Sequence, residues 1–477
     1  MSETDITRLT PWIGAADVDH DGEWLDVVSP VSETVVAQVA NASAAVVDQA
    51  VRSAGAAQID WAARPAAGRA EVLEQIAAAV RRGATDLAQL DGRETGKSLE
   101  VAAEEMLGVA RYFSYYAAEA RTLTGDTIET GPGEHTFVQR VPFGVVGVVV
   151  PWNYAANQTA RSAAPALAMG NAVVVKPSEL ASSAVLALAQ LAHEAGLPAG
   201  LLNVVTGTGQ LTGESLVEHS GVRRLSFTGS VSTGRHIAQR AAERLVPVGL
   251  ELGGKSPHLV FADADLDAAA RTIVEGFTAF AGQTCSAGTR VLVEGSVMPE
   301  LLRRVKDLVL GLNLVDAVGP LISDRQRRAV TTAIDRAVGE GARPVTGPST
   351  PLPATGYYVA PTVLADVTSS MRVFGEEVFG PVLTVTPFQD ENEALELANA
   401  PAYGLVGAVW TESLSRALRV ASQLECGQVF VNRWGAGERV PFGGFGVSGL
   451  GREKGRSAIN EYTQTRAVCI EVSEEPR

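Results

Sequence analysis

Three features of this sequence predict an α/β protein built on parallel sheets. From Phe143 onward, short apolar runs alternate with stretches of helical period, the pattern of crossover units on a parallel sheet. The runs are almost continuously apolar rather than alternating, which suits strands covered on both faces. The 477 residues, 46% hydrophobic and 19% charged, are too many for one minimal core and too apolar for disorder. Two or three packed units follow.

The start, Met1 to Thr10, is polar and acidic rather than a signal sequence. Between roughly 44 and 90, Val46, Val47, Ala50 and Val51, then Val72, Leu73, Ile76, Ala77 and Val80, fall at three- and four-residue spacings and predict packing helices. A polar segment rich in Thr and Gly, Thr122 to Thr136, separates them from the first strand. With the strand-like Arg466 to Val472 it forms a small separate element. Strands are predicted at Val145 to Val150, Ala172 to Val175, Leu201 to Val205 and Leu225 to Phe227, with helices at 181 to 195, 211 to 219 and 232 to 244. A second α/β unit spans Asp263 to Phe430, with helices near 265 to 280, 297 to 310, 325 to 340 and 390 to 400. Pro344 to Gly356, rich in Pro, Gly, Ser and Thr, reads as a surface loop.

Composition excludes several functions. A formal charge of −15 repels phosphate, so nucleic acid and anionic lipid are poor main partners, and any phosphate must be gripped locally. Three cysteines, Cys285, Cys426 and Cys469, cannot build a disulfide framework, and a cytoplasmic location is expected. The longest apolar run, Phe143 to Trp152, is half a membrane span.

Some motifs carry little. Gly92 to Ser98 contains Gly96-Lys97-Ser98, but Asp91 stands where a phosphate loop needs its first glycine, so a helix end is expected. Gly207-Thr208-Gly209 lacks the third glycine of a dinucleotide fingerprint, Thr212 taking its place. The six histidines show no ligand spacing, and no metal is expected. A pair of motifs says more. Glu251-Leu252-Gly253-Gly254-Lys255 follows an apolar run, and Gly282-Gln283-Thr284-Cys285 comes 34 residues later. A carboxylate and a cysteine on glycine turns are candidate base and nucleophile, because sulfur chemistry needs the thiolate and a free thiol holds its proton at neutral pH. The competing reading of Cys285 as a small buried hydrophobe suits its polar neighbours less well.

Seven motifs in order now resemble one family. They are Pro151-Trp152-Asn153, Lys176-Pro177-Ser178-Glu179, Phe227-Thr228-Gly229-Ser230 with Gly234, the Glu251 and Cys285 motifs, Glu377-Val378-Phe379-Gly380-Pro381, and Pro441-Phe442-Gly443-Gly444. Together, across roughly 25 to 470, they resemble the aldehyde dehydrogenase superfamily. The resemblance implies two Rossmann-like parallel-sheet domains plus a small β oligomerisation arm. The cofactor-binding domain would comprise 1–122 and 142–250, the catalytic domain 251–448, and the arm 123–141 and 456–477, in a homodimer or homotetramer. It also implies NAD-dependent oxidation of a small-molecule aldehyde to the acid through a thioester on Cys285, with NADP a weaker alternative cofactor.

By resemblance, Cys285 attacks the aldehyde, Asn153 and the Cys285 N–H hold the oxyanion, each such donor being worth about 3 to 4 kcal/mol, and Glu251 is the general base. Lys176, Ser178 and Glu179 would meet the adenosine ribose, while Gly229, Ser230 and Gly234 at a helix start would meet the pyrophosphate. Trp152, Leu252, Glu377 and Phe379 complete the expected cofactor residues, Glu377 on the nicotinamide ribose and Phe379 near the ring. Tyr154, Arg161 and Trp434 are the expected substrate residues; Arg161 would favour aldehydes bearing a distal carboxylate, with a surface or structural arginine as the equal alternative. Three departures stand out: Phe445-Gly446 replaces a lysine common after the Pro-Phe-Gly-Gly turn, Tyr154-Ala155-Ala156 replaces a bulkier tripeptide, and Ala279 sits where carboxylate-reading relatives have a second arginine. A CoA-acylating semialdehyde dehydrogenase is the alternative enzyme, disfavoured by Glu251. A structural relative without activity is the other alternative, disfavoured by Cys285 and Asn153.

Overall fold

The computed structural model describes residues 6–20, 22–347 and 350–472. The first five residues of the Met1 to Thr10 segment, two of the 344–356 loop and the last five of the chain lie outside them.

The predicted apolar runs become the middle of an eight-stranded sheet. In space the order is Gly449–Leu450, Val248–Glu251, Val222–Thr228, Val145–Val149, Ala172–Lys176, Leu202–Val204, Trp12–Ile13 and Ala16–Asp17. The five strands from Val248–Glu251 to Leu202–Val204 are parallel, with Val148 opposite both Val175 and Ser226. Val146, Val148, Val173, Val174 and Val175 are completely buried, which is why the runs read as unbroken. From Val145–Val149 the chain builds outward to one side, then returns to build the other with Val222–Thr228. That reversal opens a crevice at the carboxyl ends of the two strands.

The leading helical pattern resolves into Ala44–Ala63, Ala66–Arg82 and Ala84–Thr95. The first break comes at Pro65, which tolerates a helix start but not an interior position. The third helix ends at Gly96, in the left-handed conformation at φ 78°, where a Cβ would run into Pro320. The Gly96-Lys97-Ser98 motif is thus a helix end. Ser98 then caps Leu99–Arg121 by accepting from Val101 N. Periodicity did not single out this last helix, because buried Glu105 and Gly108 interrupt its apolar stripe.

A second sheet has the order Arg343–Pro344, Thr362–Ala365, Val382–Phe388, Arg290–Glu294, Pro257–Val260, Val406–Trp410, Gln428–Val431, parallel except for the first pair. The expected helices occur at Leu266–Thr278, Met298–Leu310, Asp324–Gly339 and Glu391–Asn399. Leu414–Gln423 is an unexpected one, with only Ala417 and Val420 buried, too thin a stripe to read. A third, antiparallel sheet joins Asp126–Ile128, Glu134–Pro142 and Thr463–Glu471, in register from Thr463 opposite Pro142 to Glu471 opposite Glu134.

One expectation needs correction. Residues 456–462, expected in the arm, pack into the first core instead. Ala458, Ile459 and Tyr462 are buried there, Asn171 donates to the Tyr462 carbonyl at 2.9 Å, and Arg224 pairs with Glu461. No described helix is long and apolar enough to cross a membrane.

Candidate active site

The crevice of the first sheet receives loops from both units. Pro151, Trp152 and Asn153 follow the strand Val145–Val149, Gly229 and Ser230 follow Val222–Thr228, and Glu251 ends Val248–Glu251. Cys285 comes from the turn before Arg290–Glu294, and Glu377 and Phe379 from the segment before Val382–Phe388. All of them line one cavity of about 260 Å³, together with Gln158, Gln326 and Leu252.

The turn carrying Cys285 is strained and clamped. Phe280 and Ala281 adopt left-handed backbone angles, φ 49° and 51°, which cost a non-glycine residue about 1 to 3 kcal/mol each. Gln283 holds that shape. Its buried amide donates to Phe280 O at 3.1 Å and Pro320 O at 3.2 Å, and accepts from Ile322 N at 2.9 Å. The Gln283 carbonyl in turn accepts from Asn153 Nδ2 at 2.9 Å. Asn153 therefore spends one amide hydrogen on fixing the cysteine turn and keeps its second for the cavity. Close approach demands the two glycines after Leu252. A Cβ on Gly254 would meet the Cys285 carbonyl at 2.5 Å, and one on Gly253 would meet Glu377 at 2.1 Å.

Burial pushes the Cys285 thiol up to about 11. Arg161 and Lys454 oppose this, while Glu377 and Glu251 reinforce it. Glu251 is buried, and among the described residues neither of its carboxyl oxygens has a donor. Burial first, and neighbouring Glu453 second, hold its carboxyl well above the usual range, with Arg161 opposing. The cavity thus joins a thiol that must lose a proton with a carboxyl group whose acceptor sites are unfilled.

Arg161 departs from expectation. It lies in the helix Ala155–Ala168, buried, with its guanidinium paired to Glu453, 3.3 Å from Thr228 Oγ1 and over the Phe442 ring. It does not line the cavity, and its charge is already matched. Arg161 is therefore not free to make the expected contact with a substrate carboxylate. Glu453, which also accepts from Ser162 and Ser226, is a residue that sequence reasoning missed. The charged run Arg452-Glu453-Lys454, directly after a glycine-rich stretch, was the available signal.

The cofactor candidates divide into two groups. Glu377, Phe379, Trp152, Leu252, Gly229 and Ser230 line the cavity. Glu377 is pushed up to about 7 by burial and accepts from Gly254 N at 3.1 Å. Phe379 meets Trp152 edge to face, and Gln326 donates to the Phe379 carbonyl at 2.9 Å. Ser230 caps the helix Val231–Glu243 by accepting from Thr233 N, leaving that helix's first amides to face an anion. Gly234 lets Leu252 pack against the same helix. Lys176, Ser178 and Glu179 lie at the end of the neighbouring strand, outside the cavity, with Lys176 Nζ 3.5 Å from Glu179. Burial lowers the Lys176 pKa. An acid beside a lysine at a strand end, an anion-binding helix start and a buried acid by the nucleophile fit a dinucleotide's ribose, pyrophosphate and second ribose.

On the other side of the nucleophile, the Tyr154 hydroxyl lies 3.2 Å from Thr284 Oγ1. Lys97, paired with Asp91 and Glu105, supports that wall, 4.6 Å from the Tyr154 ring and 4.8 Å from Phe280. Trp434 stacks 4.4 Å from His258 and, like Cys285, packs against the cluster of Leu405, Val406 and Phe442. His258 accepts from Trp410, and burial lowers its pKa to about 3, so it is a neutral core residue. Among the described residues, no three His, Cys, Asp or Glu side chains gather as metal ligands.

The sequence profile of the aldehyde dehydrogenase family matches residues 18–468. The chain is 39% identical to the 3,6-anhydro-alpha-L-galactose dehydrogenase of Streptomyces coelicolor, covering 96% of this chain and 95% of that protein. It is similar to the crystal structure of an NAD-dependent aldehyde dehydrogenase from Sinorhizobium meliloti, with a TM-score of 0.95, 36% identity, and coverage of 99% of this chain and 96% of that one. The NAD+ complex of an aldehyde dehydrogenase from Bacillus cereus matches with a TM-score of 0.95 at 34% identity, covering 98% and 97% of the two chains.

Proposed function

Since this chain belongs to the aldehyde dehydrogenase family, we propose that it oxidises an aldehyde to the carboxylic acid with NAD, through a thioester on Cys285 that Glu251 helps water to cleave. The observation that carries the reading is the single cavity shared by Cys285, Asn153, Glu251 and Glu377. Glu251 takes the thiol proton, directly or through one water, and the Cys285 sulfur attacks the aldehyde carbon. The free hydrogen of Asn153 Nδ2 and the Cys285 backbone N–H stabilise the oxyanion. NAD, held by Glu377, Phe379 and the Ser230 helix start, would supply the hydride acceptor, and the balance is RCHO + NAD+ + H2O giving RCOOH + NADH + H+. Glu251 then removes a proton from the water that attacks the thioester. Its unfilled acceptor oxygens favour water over a thiol cofactor as acyl acceptor, and so disfavour the CoA-acylating alternative.

Glu377 would hold the nicotinamide ribose, and Lys176 and Glu179 the adenosine ribose. A homodimer or homotetramer belongs to the same reading, supported by the antiparallel sheet outside both cores, where Ile128, Ile470 and Val472 are exposed.

The test is Cys285→Ala, assayed for NADH formation with a panel of aldehydes and for NAD affinity by titration calorimetry. Turnover should vanish while NAD binding persists. Retained turnover, or inactivation of the native enzyme by modification of Cys426 or Cys469, would remove Cys285 from the mechanism.

A further inference from the structure

A second cavity, of about 340 Å³, adjoins the cysteine turn on the side away from the cofactor residues. Tyr154, Asn157, Tyr112, Arg111, Glu438 and Lys454 line it. Its link to the nucleophile runs through Tyr154, whose hydroxyl touches Thr284, and through Lys454, whose charge bears on Cys285 and Glu251. Resting on the function proposed above, its place against the cysteine turn makes its lining available to an aldehyde held at Cys285.

The lining is polar, unlike the aromatic and aliphatic walls of most small-molecule pockets. Most of its charges are matched: Arg111 pairs with Glu104 at 2.9 Å, and Glu105 pairs with Lys97 at 2.5 Å. Lys454 differs. Among the described residues it has neither a hydrogen-bond nor an ion-pair partner, and its ammonium lies 4.9 Å from the Phe442 ring. Its backbone is held left-handed at φ 57°, between Glu453, paired to Arg161, and Gly455, whose carbonyl accepts from Tyr116. Lys454 shares this cavity with Tyr154, one contact from the cysteine turn, and lies over Phe442, part of the cluster against which Cys285 packs, so its three donor hydrogens can serve substrate oxygens on this side of the site. An anionic substrate is poorly served, because the lining and the charges paired to it hold four carboxylates, Asp91, Glu104, Glu105 and Glu438, against three cations, Lys97, Arg111 and Lys454.

We propose that Lys454 is a specificity-determining residue that donates a hydrogen bond to a hydroxyl next to the aldehyde carbon, and that the substrates are neutral, hydroxylated aldehydes. Asn157 and Tyr154 offer further polar contacts along the same wall.

The experiment compares glyceraldehyde with propionaldehyde, its unsubstituted three-carbon analogue, and with succinic semialdehyde as the anionic probe, by kcat/KM with NAD. The native enzyme should prefer glyceraldehyde. Because a hydrogen bond from a charged donor is involved, Lys454→Met should lower the glyceraldehyde-to-propionaldehyde ratio by about 10- to 100-fold, and Lys454→Arg should restore most of it. Circular dichroism and Tm confirm that both variants fold. A ratio that does not move, an equal loss for both aldehydes with a shifted pH profile, or a native preference for succinic semialdehyde would each overturn the assignment. Failure of the native enzyme to reduce NAD with any of the three would instead overturn the function on which it rests.

Discussion

Replacing Glu251 with glutamine separates the two proton transfers assigned to it. The side chain is buried, its oxygens take no donor among the described residues, and burial together with Glu453 holds it toward the protonated form. Glutamine keeps the shape but cannot accept a proton from water. General-base assistance is worth about 100- to 10,000-fold, or about 3 to 5 kcal/mol of barrier, so steady-state turnover should fall within that range. Acylation comes first, and Cys285 can ionise slowly with help from Arg161 and Lys454, which lower its pKa. Stopped-flow fluorescence should therefore still show a burst of one NADH per active site before the slow phase.

The same variant has a stability signature. A carboxyl whose folded pKa is raised contributes stability that is fully present below its unfolded pKa and is lost as pH climbs through the folded value. Glutamine carries no such loss. Its Tm relative to the native enzyme should rise as pH increases above the ordinary carboxylate range. Equal loss of burst and turnover would assign Glu251 to thiol activation alone. Unchanged turnover would remove it from the chemistry, and a Tm difference independent of pH would refute the burial argument.

Two further expectations concern charges the structure has already paired. Arg161→Met leaves Glu453 buried without its partner, which should cost about 3 to 5 kcal/mol and lower Tm measurably, with no selective loss toward carboxylate-bearing aldehydes; a stable variant that loses only those substrates would restore the substrate-binding reading. Glu179→Gln should raise kcat/KM with NADP relative to NAD, because it removes the carboxylate that would face a 2′-phosphate; an unchanged ratio means that Glu179 does not meet the ribose.

The amino-acid sequence by itself determined the parallel-sheet class and the nucleophile, base and oxyanion candidates. Unbroken apolar runs such as Val145 to Val150 and Ala172 to Val175 admit few other structures, and Glu251 and Cys285 sit in glycine-marked motifs that are local in the chain, with Asn153 added by the family resemblance. Only the tertiary structure decided where charges go. Whether Arg161 faces a substrate or Glu453 depends on a contact between residues 292 positions apart, which no local pattern encodes. The same holds for Lys97 behind Tyr154, for Gln283 bracing the strained Phe280 and Ala281 against Pro320, and for the return of 456–462 to the first core. Hydrophobic period is written into neighbouring residues. The pairing of buried charge is settled by which distant side chains share a low-dielectric space.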